Sequence, residues 1–341
     1  MPAYKMYKNP YHTTELSKYS FLVTGGAGFI GSNLVEYLLK YKARKIRVLD
    51  NLSTGHLQNI DPYLSNPSFE FINGDIRDLK TCTSACIGMD FVLHQAALGS
   101  VPRSIVDPIT TNEVNITGFL NMLVAVKDTG VKRMIYAASS STYGDSSALP
   151  KLEHQIGNPL SPYAVTKYVN ELYANVFSST YNLELIGLRY FNVFGPRQDP
   201  KGAYAAVIPK FVIQLMNHES PIVNGDGSHS RDFTFIENVV QANILAVFTD
   251  KPDAINTVYN VAFGEQTSLN QLIESLKKNL SIGDPFVRAV DIIYGPARKG
   301  DIPHSLASIE KAKKNLAYSP GFNFGQGLEL TVKWFLDQNR I

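Results

Sequence analysis

Residues 20 to 31 read Ser-Phe-Leu-Val-Thr-Gly-Gly-Ala-Gly-Phe-Ile-Gly. The apolar run 21–23 has the length of a buried parallel strand. Glycines follow at once, and apolar residues then recur at helical spacing at Leu34, Val35, Leu38 and Leu39. A strand, a glycine turn and a helix in this order predict a dinucleotide site, because glycines let backbone N–H groups reach a pyrophosphate at the positive end of the helix dipole.

The next predicted strand, 46–50, ends in an acid, Asp50, about 20 residues beyond the glycine turn. A carboxylate at this place accepts hydrogen bonds from the ribose hydroxyls and repels a 2′-phosphate, so NAD is favoured over NADP. The alternative for Asp50 is a helix or turn cap. The cofactor expected from these two stretches is NAD.

Further strands are predicted at 69–73, 91–94, 133–138 and 184–189, with helices at 111–129 and 163–180 between the later ones. Strands that alternate with helices predict an α/β fold with a Rossmann-like, doubly wound parallel sheet. Turn signals become frequent after Tyr190. We therefore expect an NAD-binding domain at 1–190 plus about 238–264, and a smaller C-terminal α/β substrate-binding lobe at 191–237 and 265–341. Residues 1–19 are expected to form an extension with one short helix, and no function is assigned to them.

Ligands of open α/β sheets bind at the carboxyl ends of the strands. Small and polar residues occupy these ends here. The residues predicted to line the cofactor site are Gly25, Gly28, Phe29, Ile30, Gly31, Asp50, Asn51, Ser53, Thr54, Gly55, Asp75, Ile76, Gln95, Ala96 and Ala97. His94 ends the fourth strand and is interpreted as a packing residue rather than a base.

The composition argues against several other classes of protein. The chain of 341 residues is 44% hydrophobic and 18% charged, with a net charge of +2, which gives no electrostatic reason to expect nucleic acid or an anionic membrane as a partner. No apolar stretch approaches the length of a membrane span. Cys82 and Cys86 are the two cysteines; they predict two thiols on a helix face and neither a disulfide framework nor a metal site. We expect a cytoplasmic location.

Tyr163 and Lys167 lie four residues apart at the start of a predicted helix, so they share one face. Ser139 ends the fifth strand, and all three side chains are expected to meet over the nicotinamide. A tyrosine has a pKa of about 10, so a tyrosine base needs nearby positive charge, which Lys167 and oxidised NAD would supply. The Tyr-x-x-x-Lys spacing alone is common. Its combination with the glycine turn and Asp50 indicates an oxidoreductive site with Tyr163, Lys167 and Ser139 as the catalytic residues.

These motifs, together with the stretches 94–104, 137–144, 160–171 and 189–195, resemble the extended short-chain dehydrogenase/reductase family. Within it, the chain is similar to nucleotide-sugar 4-epimerases of the branch that acts on UDP-N-acetylglucosamine and UDP-hexoses. The resemblance implies that Tyr163 takes the proton of the sugar 4-hydroxyl while NAD takes the hydride. The transient 4-keto sugar then rotates to present its other face, and the hydride and the proton return to it. It also implies that Tyr163, Lys167 and Tyr190 contact the cofactor.

The resemblance further implies a set of substrate residues around the sugar, the diphosphate, the uracil and the ribose. They are Gly99, Ser100, Ser140, Ser141, Asn192, Gln198, Ala206, Val207, Ile222, Val223, Asn224, Arg231, Arg298, Asp301 and Ser305. Ser305 stands where simple galactose 4-epimerases carry a bulky tyrosine, and its small side chain leaves space for a 2-N-acetyl group. By the same resemblance we expect a homodimer with a four-helix interface from the helices at 111–129 and 163–180, and a place in polysaccharide precursor supply.

Three alternatives stay open at this point. The first is a UDP-N-acetylglucosaminuronate 4-epimerase, which shares the chemistry and adds a C6 carboxylate. The second is a nucleotide-sugar 4,6-dehydratase, in which the serine or threonine of strand five is typically followed by Asp-Glu; Ser140-Ser141 follow here. The third is a non-catalytic NAD-sensing scaffold, a class that tends to lose the tyrosine or the lysine.

Overall fold

Seven parallel strands form one central sheet. The structure, a computed structural model, describes residues 6–200, 205–296 and 302–338. Its strands are β1 Ser20–Thr24, β2 Lys45–Asp50, β3 Phe69–Asn73, β4 Phe91–His94, β5 Arg133–Ser139, β6 Glu184–Tyr190, β7 Val193–Phe194, β8 Ile222–Asn224, β9 Ser230–Arg231, β10 Thr234–Phe235, β11 Thr257–Val261, β12 Thr267–Ser268 and β13 Ile293–Gly295. The order in the sheet is β11-β6-β5-β4-β1-β2-β3, so the direction of winding reverses between β1 and β4. A crevice at such a reversal is the usual ligand site of this fold class.

Helices cover both faces of the sheet. They are α1 Phe29–Lys40, α2 Leu79–Cys86, α3 Val101–Val106, α4 Pro108–Asn112, α5 Gly118–Thr129, α6 Pro162–Tyr181, α7 Val207–Met216, α8 Ile236–Phe248, α9 Leu269–Leu280, α10 Glu310–Leu316 and α11 Phe324–Gln338. The apolar faces of α1 and α8 pack on one side of the sheet, and those of α2 and α5 pack on the other. The predicted α/β doubly wound fold is confirmed.

The C-terminal part adds three two-stranded sheets, β7–β10, β8–β13 and β9–β12, beside α7, α9 and α11. Its apolar side chains continue into the cluster that lies under α1 and α8. The strand β11 returns to the edge of the main sheet, where it pairs with β6. The division of the chain into two functional domains at the expected boundaries stays a prediction.

The predicted helix at 111–129 belongs to a longer helical stretch that begins with α4. One turn of π-helix, Glu113–Thr117, interrupts it. Residues 6–19 contain one short 3₁₀ turn, Leu16–Lys18, and place Tyr7 in the core, where its hydroxyl donates to Asn33 Oδ1 at 2.9 Å. Among the helices of the described ranges, none is long and apolar enough to cross a membrane.

Candidate active site

A cleft of about 300 Å³ opens at the carboxyl ends of β1, β2, β3 and β4. It brings together nearly every residue that the sequence predicts for the cofactor. Its walls include Gly25, Gly28, Phe29, Ile30, Gly31, Asp50, Asn51, Ser53, Thr54, Gly55, Asp75, Ile76, Gln95, Ala96 and Ala97. Gly99, predicted for the substrate, also lies on this cleft. These residues line one cleft because adjacent parallel strands end at the same edge of the sheet.

The glycine turn leaves room for backbone alone. Gly25 has a φ of +69°, which favours glycine, and a methyl group there would lie 2.7 Å from the Ala96 nitrogen. A methyl group on Gly31 would lie 2.1 Å from the Gly25 carbonyl oxygen. The helix α1 starts directly after Gly28, and no side chain caps this end within the described residues. Its first N–H groups therefore face the cleft as anion donors, a geometry that fits the pyrophosphate of NAD.

Asp50 has the capping role that the sequence offered for it, and its ribose-binding role stays a prediction. Its Oδ2 accepts from Ala27 N at 2.9 Å and its Oδ1 accepts from Leu52 N at 2.8 Å, so the carboxylate holds the glycine turn against the end of β2. Burial raises the pKa of Asp50, although both backbone bonds lower it. Each carboxylate oxygen has a further lone pair for a ribose hydroxyl. Next to it, Asn51 Nδ2 donates to Asp75 Oδ2 at 2.8 Å.

The three predicted catalytic residues come from two elements at the end of the sheet. Ser139 ends β5, while Tyr163 and Lys167 occupy successive turns at the start of α6. Ser161 starts this helix by accepting from Ala164 N at 3.2 Å, and Pro162 follows at a position where its missing N–H costs nothing. Lys167 is buried, and its Nζ donates to Ala137 O at 2.8 Å.

Burial dominates the electrostatics of this group. It raises the pKa of Tyr163, and a hydrogen bond from Ser139 lowers it only in part. The lowering expected from Lys167 and oxidised NAD together stays a prediction. Burial also lowers the pKa of Lys167 to about 8. The Lys167 ammonium is directed at the backbone carbonyl of Ala137.

Ser139 is arranged as a donor toward Tyr163. Its hydroxyl oxygen accepts from Ser141 N at 3.1 Å and from Ser141 Oγ at 2.9 Å. With both lone pairs used, the remaining function of this hydroxyl is to donate. Ser141, predicted to face the sugar, therefore also orients Ser139; Ser140 stands beside it at the start of the same short turn.

Asn115 is a site residue that sequence reasoning missed. It lies buried in the π-turn, where its Oδ1 accepts from Leu98 N at 2.8 Å and its Nδ2 donates to Leu98 O at 3.2 Å and to Thr166 Oγ1 at 3.1 Å. Thr166 in turn donates to Tyr163 O at 2.8 Å. Asn115 thus joins the loop after β4 to the catalytic turn of α6. The π-turn has no clear sequence signal, so periodicity alone does not reveal this residue.

His94 and Thr24 form a second hydrogen-bonded contact between elements, at the ends of β4 and β1. Thr24 Oγ1 accepts from Ala96 N at 3.3 Å and lies 2.8 Å from His94 Nδ1. Burial, with a smaller contribution from Lys167, lowers the pKa of His94 to about 3, so the ring is neutral. The interpretation of His94 as a packing residue stays a prediction, which its burial supports. Thr24, a polar residue that ends an apolar strand, was the available signal.

Two smaller cavities in the C-terminal part contain most of the predicted substrate residues. One, of about 190 Å³, is lined by Asn192, Gln198, Ala206 and Val207. The other, of about 260 Å³, shares Asn192 and Val207 and adds Ile222, Val223, Asn224 and Arg231. Both open at the start of α7, so they form neighbouring parts of one surface.

The remaining predicted substrate residues lie around these cavities. Ser305 N donates to Ser230 O at 3.1 Å, which places Ser305 next to β9 and Arg231. Ser100 caps α3 by accepting from Arg103 N at 3.2 Å. Arg298 and Asp301 lie outside the described residues. Within the described ranges, no group of three or more histidine, cysteine or acidic side chains is arranged to hold a metal ion.

The two cysteines stand apart from this chemistry. Both lie buried on α2 as free thiols. Burial raises the pKa of each thiol to about 12, so neither thiol is ionised near neutral pH.

Comparison with known proteins identifies a matching family and several similar UDP-sugar 4-epimerases. The profile of the "NAD dependent epimerase/dehydratase family" matches residues 21–262. A putative UDP-glucose 4-epimerase of Methanocaldococcus jannaschii is 36% identical, over 94% of this chain and 99% of its own. A UDP-N-acetylglucosamine 4-epimerase from Methanobrevibacter ruminantium, solved with UDP-N-acetylmuramic acid, is 39% identical with a TM-score of 0.85, over 94% of this chain and 99% of its own. The UDP-glucose 4-epimerase of Thermus thermophilus, solved with NAD, is 32% identical with a TM-score of 0.81, over 93% of this chain and 99% of its own.

Proposed function

Because the chain belongs to the NAD-dependent epimerase/dehydratase family, we propose that it interconverts UDP-N-acetylglucosamine and UDP-N-acetylgalactosamine. The coarser assignment, an NAD-dependent UDP-sugar 4-epimerase and hence an isomerase, follows from the relatives, which cover nearly the whole chain. The observation that carries the finer proposal is the small side chain of Ser305, whose backbone N donates to Ser230 O next to Arg231.

We assign the cofactor to the cleft because its residues fit NAD. The glycine turn leaves space for a pyrophosphate, and Asp50 offers acceptors for ribose hydroxyls. Asn51, Asp75 and Ile76 line the side on which adenine would lie. When bound, oxidised NAD would accept the hydride from C4 of the sugar and supply positive charge beside the phenol, and the reduced cofactor would return the hydride to the other face.

Side chains of this protein transfer the proton of the sugar 4-hydroxyl. Tyr163 takes the proton of the 4-hydroxyl, and Ser139 stabilises the phenolate by donating to it. Lys167, held by Ala137 O, adds a cation on the same helix face. The 4-keto sugar then turns about its link to the diphosphate, and Tyr163 returns the proton after the hydride adds to the opposite face. Weak contacts to the hexose and firm contacts to UDP suit this motion.

The UDP anchor is proposed for the cavities of the C-terminal part. Arg231 offers a guanidinium fork for phosphate oxygens, and residues 222–224 of β8 line the uracil side. Arg298 and Asp301 are proposed for the diphosphate and the ribose on the resemblance alone. Gly99, Ser100 and Gln198 are proposed for the sugar.

Two observations support an N-acetylated sugar and a 4-epimerase over the alternatives. Ser305 is small at a place that borders Arg231 through β9, and a similar solved protein is named a UDP-N-acetylglucosamine 4-epimerase. A 4,6-dehydratase needs an acid and a base beside strand five, whereas Ser141 here binds Ser139.

The direct test is proton NMR of the purified protein with UDP-N-acetylglucosamine and no added NAD. Appearance of UDP-N-acetylgalactosamine is the expected result, and it would report both the reaction and a retained cofactor. The same experiment with the corresponding uronic acid and with UDP-glucose ranks the sugars. Turnover of the uronic acid alone would replace the proposed substrate, and no turnover of any of the three, with NAD bound, would favour the scaffold alternative.

Ser305→Tyr separates the sugars within one protein. We expect this variant to lose UDP-N-acetylglucosamine turnover at least tenfold while UDP-glucose turnover is retained, because the ring would fill the space for the acetamide. Ser65→Tyr, which places the same ring at an exposed position before β3, is the matched control. An equal loss of turnover with both sugars would show that the side chain at this position does not select the N-acetyl group.

We also propose a homodimer, on the apolar surface of α6. Val165, Leu172 and Val176 are 46%, 49% and 55% exposed, and Ile105 and Ile109 continue this surface at 63% and 72%. The exposed apolar residues thus come from α6, α3 and α4, whereas α5 packs its apolar residues inward. Light scattering is expected to give a dimer mass for the wild type, and Leu172→Glu is expected to give a monomer; a monomeric wild type would overturn the proposal.

A further inference from the structure

Gln95, Tyr190 and Asn243 form a closed ring of hydrogen bonds, and Gln95 is the member that lines the cofactor cleft. Asn243 Nδ2 lies 2.9 Å from Tyr190 Oη, Tyr190 Oη lies 3.2 Å from Gln95 Oε1, and Gln95 Nε2 lies 3.2 Å from Asn243 Oδ1. Gln95 lines the cleft, whereas Asn243 is fully buried on α8. Two side chains predicted for the cofactor are therefore joined by a residue that no sequence motif indicated.

The direction of the ring is fixed by a backbone carbonyl. Asn243 Nδ2 also donates to Val239 O at 2.8 Å, and a carbonyl can only accept. The amide of Asn243 therefore cannot be turned over, and its Oδ1 must be the acceptor for Gln95 Nε2. Because Gln95 Nε2 faces this acceptor, the Gln95 amide is oriented with its Oε1 toward the phenol. Tyr190 accepts from Asn243 Nδ2, and its own hydrogen has two acceptors, Gln95 Oε1 and Asn243 Oδ1, each at 3.2 Å.

Such a ring gives the cleft a defined pattern of donors. Gln95 Nε2 carries a second hydrogen beyond the one used by Asn243, and Gln95 is only half-buried at the cleft wall. Burial raises the pKa of Tyr190 to about 12, so the phenol stays protonated and keeps its donor role at neutral pH. Buried polar networks of this kind hold a single arrangement when every member is satisfied.

We propose that Asn243 is a positioning residue that fixes the Gln95 amide and the Tyr190 phenol against NAD, and so holds the cofactor on the protein between turnovers. This inference rests on the proposed use of the cleft for NAD. It does not depend on which sugar is the substrate.

The experiment compares two buried asparagines of the same helix. Asn243→Leu removes the ring, whereas Asn238→Leu removes an equally buried amide that donates to Phe322 O at 2.8 Å and accepts from Phe322 N at 3.1 Å, away from the cleft. The NAD retained per chain after dialysis and the Kd for NAD from calorimetry are measured without any sugar. We expect Asn243→Leu to weaken NAD binding at least tenfold and Asn238→Leu to leave it within twofold, although both variants melt at lower temperature.

Tyr190→Phe is the milder variant, because it keeps the packing of the aromatic side chain and removes only the hydroxyl. It is expected to weaken NAD binding severalfold, and its effect is expected to be less than additive with that of Asn243→Leu, as for residues that act through one network. Equal loss of NAD in the Asn243 and Asn238 variants, or additive effects of Tyr190 and Asn243, would overturn the inference. A wild type that retains NAD but does not epimerise UDP-N-acetylglucosamine would refute the proposed substrate and leave this inference intact.

Discussion

The cofactor cleft and the proposed substrate cavities are built in different ways. The cleft takes its walls from the ends of four neighbouring strands of one sheet and from a glycine turn. The substrate cavities take theirs from a helix start and from strands of two or three residues that pair across long stretches of chain. The cleft therefore depends on regular backbone geometry, whereas the substrate surface depends on loops, which accept substitution more readily and are where specificity within a fold commonly changes.

Gly31→Ala is expected to have the largest effect, because the glycine turn has the least space for an added methyl group at this residue. The added methyl would lie 2.1 Å from Gly25 O and 2.7 Å from Gly26 Cα, so the glycine turn must move. We expect loss of bound NAD and destabilisation of about 4 kcal/mol or more. Gly321→Ala is the matched control, since its methyl meets no atom within 4 Å. Calorimetry with NAD and thermal melting check both; a Gly31→Ala protein with normal NAD content would contradict the close packing of the turn.

Tyr163→Phe tests the chemistry that joins the two regions. Removal of the proton acceptor is expected to lower turnover by about 10² to 10⁴, while NAD and UDP binding stay unchanged because the ring remains. The control is Tyr173→Phe on the same helix, which packs against Phe177 away from the site. The measurements are epimerisation by NMR and NAD content. Undiminished turnover in the Tyr163 variant would remove the catalytic assignment.

Lys167→Met is expected to abolish turnover yet raise stability at pH 7. Burial lowers the pKa of Lys167 to about 8, below its value of about 10.4 in an unfolded chain. The unfolded state thus binds more protons between these values, so the penalty for burying the charge is present below pH 8 and disappears as the pH rises toward 10.4. After allowing for the lost bond to Ala137 O, we expect a gain of about 2 kcal/mol at pH 7.

Denaturant unfolding at several pH values between 7 and 10 measures this difference. The advantage of the variant should shrink steadily above pH 8. A constant difference across the range would mean that packing, rather than the buried charge, separates the two proteins.

Arg231→Lys is expected to have the smallest effect and to stay within the substrate region. Lysine keeps the charge but loses the guanidinium fork. We expect about a tenfold higher Kd for UDP, which corresponds to about 1.4 kcal/mol, with unchanged NAD binding. Arg288→Lys, whose guanidinium donates to Ser281 Oγ outside the cavities, is the control. A simultaneous loss of NAD would show that the two regions are not separable in this way.

The contrast also explains how far sequence reasoning reached. The strand, the glycine turn and Asp50 lie within one βαβ unit, so their spacing predicts both the fold class and the cofactor. The spacing of Tyr163 and Lys167 on one helix face and the position of Ser139 at a strand end are local facts too. The substrate residues were named through resemblance, because residues 192, 207 and 231 are brought together only by folding.

What the sequence by itself determined is the order of strands and helices, the dinucleotide turn and the residues that end each strand, because backbone periodicity and glycine conformation act over a few residues. Only the tertiary structure decided the contacts that cross elements: Asn115 between the π-turn, Leu98 and Thr166, the ring of Asn243 with Gln95 and Tyr190, and the direction of the Lys167 ammonium. It also decided that burial raises the pKa of Tyr163. Burial and hydrogen-bond direction decide these features, and both are properties of the packed chain rather than of any short stretch of it.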